Sequence, residues 1–451
     1  MASIPELEGS VPVSLEEILE ERENRANHQR QLLEKYTCTL LCLTLNIPGP
    51  CKTFPLARRA FLEGLNTVRL ILEAEGLQIV HEELTENPAG YTGYIITQSA
   101  PEKAKELSTF IEETHPMGRL FDIDVISASM QKISRDKERC CLLCPKLAFE
   151  CSRNRTHDIN DLQRAIINLM KVFFRKHLGK LITKAAMKAL MAEVAVTPKP
   201  GLVDRVNNGS HRDMDFYTFI DSTAAVLSYF NECASMGFDN DRELPALFEA
   251  LRPGGKVAEV LMKQATNGAN THRGVIFSFG IVSAAYGVLY KKSDIVKPEE
   301  ILDTCKVMTS SLLEDFSKAE SNTHGEAIYS RHGIQGIRGE AATGFPSVLE
   351  HSYPIFQKML IEGHSYNDAG IAAFLSLLAC VDDTNIIHRS CLSTLRCIQK
   401  ETADFLNRNP SPAAMLNRAA ELDRQFIAEN ISPGGCADLL ALTFFLHELV
   451  N

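Results

Sequence analysis

The stretch GRLFDIDV at 118–125 places Asp122 and Asp124 one residue apart inside an apolar alternation. In a strand, successive side chains point to opposite faces. Phe121, Ile123 and Val125 would then face a core, and the two carboxylates would share the other face. Two acids on one face repel unless a positive charge sits between them. A hard cation such as Mg²⁺, completed by water and phosphate oxygens, is the usual answer. The pattern therefore suggests a phosphate-handling site with Arg119 beside it. The plain alternative is a solvated strand face that runs into a loop.

A second cluster follows at Cys140, Cys141, Cys144, Cys151 and His157. With Cys141 as the first ligand, three thiolates and an imidazole can close a tetrahedral zinc site. Cys140 competes with Cys141 for that place, and small packing residues beside a basic loop would give the same letters. Arg139, Arg153 and Arg155 suit phosphate oxygens equally well, because guanidinium pairs with them bidentately.

The second half carries polar islands rich in glycine: TPKPGLVDRVNNGSHRDMD at 197–215, ATNGANTHRG at 265–274, THGEA at 323–327, GIRGEAATGFP at 336–346, DDTN at 382–385 and SPGGCADLL at 432–440. Each sits at the edge of a helical run, where free N–H groups and glycine favour anions. Asp204, Asp213, Asp215, Glu340, Asp382 and Asp383 are acids that could hold Mg²⁺ on a polyphosphate. His211, His272 and His324 lie in islands rather than on apolar faces. For any one island, ordinary capping and turn chemistry explains the same residues. Together they read as loops converging on one end of a bundle.

Elements must hold these residues in place. At 451 residues the chain is long for one domain. The first part alternates helices and strands. SLEEILEERENRANHQRQLLEKY opens on a capping box, Ser14 with Glu17. CTLLCLTLNIPG reads as a buried strand, and LQIVHEELTENPAGYTGYIITQ as a hairpin about Asn87-Pro88-Ala89-Gly90. From about residue 160 the spacing is helical, in DLQRAIINLMKVFFRKHL, LITKAAMKALMAEVA and later runs. The fold class expected is multidomain: an α+β domain with a small mixed sheet over 1–165, then an all-α domain over 166–451.

Hydrophobic residues make up 45%, and the net charge is −10, which argues against nucleic acid or an anionic membrane as the main partner. The N-terminus lacks an apolar segment of the signal-peptide kind, and no apolar run reads as membrane-spanning. Thirteen cysteines are scattered without a framework. They read as reduced thiols in the cytoplasm.

With these residues assembled, the second half resembles the triphosphoribosyl-dephospho-CoA synthases, through the long islands at 197–215, 265–274, 338–346, 382–385 and 432–440. The first half resembles holo-citrate lyase synthase, the apo-citrate lyase phosphoribosyl-dephospho-CoA transferase, through HPMGRLFDIDV and RCCLLCPKLAFECSRNRTH. The whole resembles a fusion of the two enzymes, which implies that the α+β domain is nucleotidyltransferase-like. That resemblance implies that ATP and 3′-dephospho-CoA combine in the helical half. The 2′-hydroxyl attacks the ribose C1′ and adenine leaves. The other half then moves the phosphoribosyl-dephospho-CoA group to a serine of the citrate lyase acyl carrier subunit (the gamma chain), and pyrophosphate leaves.

On this reading the expected catalytic residues are Arg119, Asp122, Asp124, Asp204, His211, Asp213, Glu340, Asp382 and Asp383. The expected substrate contacts are Lys199, Gly201, Arg205, Asn208, Asn270, Thr271, His272, Arg338, Asn385, Gly434 and Gly435. Mg²⁺ is expected at Asp122 with Asp124 and at Asp382 with Asp383, and Zn²⁺ at Cys141, Cys144, Cys151 and His157. One rival is a nucleotidyltransferase joined to a helical phosphohydrolase. It needs an adjacent His-Asp pair on a helix of the second half, whereas the pair that occurs, His157-Asp158, lies in the cysteine-rich segment before it. Another is a nucleotide sensor without catalysis.

Overall fold

The computed structural model describes residues 4–7, 9–135, 138–293, 295–312 and 324–451, with the backbone alone at 5 and 324–326. The chain divides into two compact units, Met1–Lys176 and His177–Asn451.

In the first unit α1 spans Leu15–Tyr36. Its capping box is made: Glu17 N donates to Ser14 Oγ at 3.2 Å, and Ser14 N to Glu17 Oε2 at 2.7 Å. Then follow β1 (Thr39–Leu45), α2 (Pro55–Ala74), β2 (Ile79–Asn87), β3 (Gly90–Thr97), α3 (Pro101–Thr114), β4 (Phe121–Ile126), β5 (Lys132–Ile133) and α4 (Ala148–Arg153). The sheet order is β2-β3-β1-β4-β5, and every neighbouring pair is antiparallel. A mixed sheet is thus not formed, and the connectivity gives the reason. The crossovers β1-α2-β2 and β3-α3-β4 each join strands of like direction, but β3 separates the first pair and β1 the second. This is the split βαβ arrangement of ferredoxin-like sheets.

The pleat decides what each face carries. Leu41, Leu43, Ile95, Ile123 and Val125 are buried on the face covered by α2 and α3. Gly64 of α2 lets Phe121 approach, since a Cβ there would lie 2.8 Å from the ring. The opposite face packs Leu40, Cys42, Tyr94 and Ile96 against Leu32 and Leu33 of α1. Asp122 and Asp124 stand on that α1 side, opposite Thr44 and Cys42 of β1.

The helix α5, Ile159–Ala195, runs unbroken through Gly179, where two separate helical runs were expected. Gly179 is there for proximity rather than as a break: a Cβ would sit 2.4 Å from Asn231 Oδ1 of α6, Phe216–Phe238. Next come α7 (Leu244–Ala265), α8 (Arg273–Tyr290), α9 (Pro298–Met308), α10 (His324–His332) and α11 (Gly336–Thr343). A π-helical turn, Ser347–Ser352, leads into α12 (Tyr353–Ile361), α13 (Tyr366–Cys380), α14 (Thr384–Arg389), α15 (Leu392–Leu406), α16 (Pro412–Glu429) and α17 (Gly434–Val450). The described elements of this unit are helices.

Helix α8 is long and apolar enough to cross a membrane, against the sequence expectation, yet 72% of it is buried within the protein. It is the core helix of the unit. Gly237 of α6 and Gly287 of α8 bring the two backbones together, with Cβ positions only 2.0 Å and 2.2 Å from opposing carbonyl oxygens. Phe279 of α8 stacks on Phe445 of α17 at 4.2 Å.

Candidate functional site

In the first unit, burial along β4 alternates as its sequence dictates, with Phe121, Ile123 and Val125 inside. Asp124 pairs with Lys132 Nζ at 2.7 Å, and Asp122 lies 3.7 Å from Arg139 Nη2. Arg139 also pairs with buried Glu112, which accepts from Ile123 N at 2.8 Å. Arg119 does not reach the aspartates. Its guanidinium donates to the Cys140 carbonyl. Asp122 lines a cavity of about 180 Å³ together with Arg22, Arg25 and Lys52. Burial, and then the charge of Arg22, hold the Lys52 amine below its ordinary range. The two arginines come from α1, which the motif reading left without a role. No local signal marks them, because only the sheet face brings them over Asp122.

Beside this site Cys141, Cys144, Cys151 and His157 place one ligand atom each within 4.8 Å of one another. Cys140 is exposed and stands apart, paired in a bridge with Leu147. His157 Nε2 lies 3.3 Å from Cys144 Sγ, and Asp158 accepts from Asn160 N at 2.8 Å. The His157-Asp158 pair is therefore divided between a thiol cluster and a turn, which leaves the phosphohydrolase reading without its motif.

In the second unit, cavities of about 370 Å³ and 530 Å³ share a wall of Asn270, Arg273, Gly274, Asn385, His388 and Asp438. The first also takes Arg338, Glu340, Asp382, Asp383 and Gly435. The second takes Glu193, Lys199, His211, Asp213, Thr271, His272, Arg389 and Gly434. The islands at 197–215, 265–274, 336–346, 382–385 and 432–440 all contribute. Thr323, which opens the island at 323–327, and the side chain of His324 lie outside the described residues.

Several expected residues shape the site rather than face it. Asp204 is buried and accepts from Thr197 Oγ1 at 2.6 Å and from the N–H groups of Lys199, Val206 and Asn207. Gly201, at φ +67°, has its Cβ position 2.3 Å from the Ile431 carbonyl, so the loop can close only with glycine there. Arg205 and Asn208 are exposed and line neither cavity. Asp215 caps α6. Asp383 caps α14 and also accepts from Cys436 N at 2.9 Å, tying two helix starts together. Asp382 faces the first cavity but pairs with Arg396 at 3.2 Å.

The deepest wall is ionisable. Lys199 is fully buried, donates to the Glu193 carbonyl at 2.9 Å and pairs with the Glu193 carboxylate. Burial pushes the Glu193 carboxyl up, partly offset by Lys199. Asp438 is pushed well above the carboxylate range by burial, then by the charges of Glu193 and Asp383. Its Oδ2 lies 2.0 Å from where a Gly274 Cβ would be. Burial raises Glu340, which accepts from Ser347 Oγ at 2.6 Å. His211 is lowered by burial and by Arg389, while its Nε2 lies 2.8 Å from Ser432 Oγ.

His272 is 2% exposed. Thr271 Oγ1 donates to Ser222 Oγ at 2.6 Å, so the Ser222 proton is turned to His272 Nδ1, also at 2.6 Å. With Ser222 as the donor to Nδ1, the remaining proton sits on Nε2, a buried nitrogen with no protein partner in a residue that lines the second cavity. Burial pushes the imidazole down to about 3. It is a neutral donor.

The family model described as ATP:dephospho-CoA triphosphoribosyl transferase matches residues 180–451. The one described as apo-citrate lyase phosphoribosyl-dephospho-CoA transferase matches 13–173. Protein CitXG of Haemophilus influenzae is 32% identical, over 97% of this chain and 96% of that relative. Protein CitXG of Leuconostoc mesenteroides is also 32% identical, over 98% and 99%. The chain belongs to this bifunctional citrate lyase maturation family. It is a bifunctional transferase, a triphosphoribosyl-dephospho-CoA synthase joined to an apo-citrate lyase phosphoribosyl-dephospho-CoA transferase. The 2-(5''-triphosphoribosyl)-3'-dephosphocoenzyme-A synthase of Klebsiella pneumoniae is 39% identical over 59% of this chain and 89% of its own length. Within the family's synthase region, Glu193, Ser222, Arg273, His388, Arg389 and Asp438 are wall or relay residues that the motif reading passed over. Asp438 stood inside the quoted island SPGGCADLL, and Glu193 was an acid in the apolar run LMAEVA. Each is a signal that could have been read.

Proposed function

We propose that the two cavities of the second unit are the ATP and dephospho-CoA lobes of the synthase, with the reacting ribose at their shared wall. The observation that carries this is the common wall itself, built from islands that are far apart in sequence. The 2′-hydroxyl of dephospho-CoA would attack C1′ of ATP, the C1′–N9 bond would break, and the hydroxyl proton would end on adenine. Such a displacement has oxocarbenium character, which nearby carboxylates stabilise and proton donors assist. Asp438 stands at the wall with its carboxyl pushed well above the carboxylate range, and His272 stands in the second lobe with an unpartnered Nε2. Lys199, Arg273, Arg338 and Arg389 supply positive charge for phosphates. Magnesium on the triphosphate would be met by Asp382, with Asp383 holding α14 and α17 in place.

In the first unit the carrier serine would attack the phosphorus next to the ribose, and pyrophosphate would leave. Displacement at phosphorus needs positioning and charge neutralisation. Arg22, Arg25, Lys52 and Arg139 around Asp122 supply the cations, and Asp122 with Asp124 would hold Mg²⁺. Cys141, Cys144, Cys151 and His157 are proposed to hold zinc, since three thiols and an imidazole are a closed structural donor set. The cytoplasm, where ATP, dephospho-CoA and reduced thiols coexist, is the proposed compartment.

The test is incubation of the full chain with ATP and dephospho-CoA. Adenine should appear only when both are present, and an added acyl carrier subunit should gain the mass of the prosthetic group. ADP or phosphate as the main product would overturn the reading, and binding without turnover would favour a sensor.

A further inference from the structure

The segment 138–157 carries almost no core. Cys151 is its one buried residue, while Leu143 and Phe149 are exposed. A stretch this poor in apolar burial needs another staple. The four ligand atoms supply the place for one. Cys144 Sγ and Cys151 Sγ are 3.5 Å apart, far beyond a disulfide, and His157 Nε2 is 3.3 Å from Cys144 Sγ. A tetrahedral zinc with bonds of about 2.3 Å to sulfur and 2.0 Å to nitrogen puts sulfurs roughly 3.8 Å apart and sulfur and nitrogen roughly 3.5 Å apart. These two separations are within a few tenths of an ångström of that geometry, and all four ligand atoms lie within 4.8 Å of one another.

The same segment touches the aspartate site. Arg139 adjoins the Cys140–Leu147 bridge, and its carbonyl accepts from Ala148 N at 2.8 Å. Cys141 N donates to the Lys146 carbonyl at 2.6 Å, closing the first turn of the cluster. From this frame the Arg139 guanidinium reaches 3.7 Å from Asp122, and the Cys140 carbonyl takes the Arg119 guanidinium.

We propose that zinc at Cys141, Cys144, Cys151 and His157 is the staple that holds Arg139 beside Asp122 and keeps Arg119 on the Cys140 carbonyl, making phosphoribosyl-dephospho-CoA transfer zinc-dependent while adenine release is not. The first part is a structural claim, and the second rests on the transferase reading of Asp122. Arg139 acts here as a positioned cation, and the zinc takes no part in the chemistry.

The experiment measures zinc by elemental mass spectrometry on the full chain, purified under reducing conditions. Hydrogen exchange of the 138–157 peptides is followed alongside. Expected are about one zinc per chain, loss of it in Cys144→Ser, and exchange at 138–157 at least tenfold faster while β4 peptides keep their protection. Chelation of the wild-type protein followed by zinc re-addition, with assays run in excess magnesium, removes the question of misfolding. Carrier modification from ready-made intermediate should disappear and return, with adenine release constant throughout. Arg139→Ala should keep its zinc and lose transfer. Absence of zinc from the reduced wild-type protein, or full transfer by the chelated one, would overturn the proposal. A zinc-loaded chain that never modifies a carrier would overturn the transferase reading and, with it, the claimed coupling. Metal content and exchange would still decide the staple.

Discussion

Replacing His272 by glutamine should make the second unit markedly less sensitive to acid. In the folded chain burial, and then the charge of Lys199, hold the imidazole at about 3. An unfolded histidine titrates near 6.5. Below that value the unfolded chain binds a proton that the folded chain refuses, so stability falls as pH falls. The loss begins near pH 6.5 and continues toward pH 3, at about 1.4 kcal/mol per pH unit. At pH 5 the wild type should have lost about 2 kcal/mol through this one group.

Other groups face the same cavity: Glu193, Lys199, His211, Asp213, Arg273, His388, Arg389 and Asp438. The raised carboxyls of Glu193 and Asp438 act with the opposite sign, since the folded chain holds their protons to a higher pH than the unfolded chain does. Only the difference between wild type and His272→Gln isolates the imidazole. The chain has no tryptophan, so urea unfolding is best followed by far-UV ellipticity at pH 7 and pH 5, with hydrogen exchange over α8 assigning the change to the right unit. At pH 7 the variant should be about 1 kcal/mol less stable, for the lost Ser222 hydrogen bond. Between pH 7 and 5 it should lose about 2 kcal/mol less than the wild type. An equal loss in both proteins would refute the account of a buried, neutral His272.

Asp122→Asn or Asp124→Asn should slow carrier modification about a thousandfold while sparing adenine release, since a charged ligand is lost from the first unit alone. Intact-mass measurement of the carrier reads this directly, and near wild-type modification would remove the pair from the site. Asp382→Asn should abolish formation of the intermediate, and ready-made intermediate should restore the carrier mass shift. Asp438→Asn should slow adenine release at least about a hundredfold and leave the thermal midpoint at or above the wild-type value, because it removes an acid crowded by Glu193 and Asp383. An unchanged rate would make that residue structural. Asp204→Asn should cost about 1–3 kcal/mol, as an amide cannot accept all the bonds the carboxylate takes. Chemical denaturation measures the loss.

The local chemistry of this protein is written in its sequence. The alternation through Phe121, Ile123 and Val125 sends Asp122 and Asp124 to one face whatever lies around them, because strand geometry has period two. Ser14 and Glu17 close their own box, and Cys141, Cys144, Cys151 and His157 are near enough in sequence to meet. What stayed hidden depends on which distant surfaces meet. Arg22 and Arg25 look like ordinary charges of a solvated helix until the sheet presents Asp122 beneath α1. Gly179 reads as a helix break until Asn231 fills the space a side chain would need. Asp204 and Asp383 carry the letters of metal ligands, yet backbone N–H groups take their oxygens, because a buried carboxylate goes to the nearest unsatisfied donors. Asp438 and His272 acquire their character from tertiary burial and from the charges that the fold brings beside them, since sequence names an ionisable group but only its surroundings fix its charge.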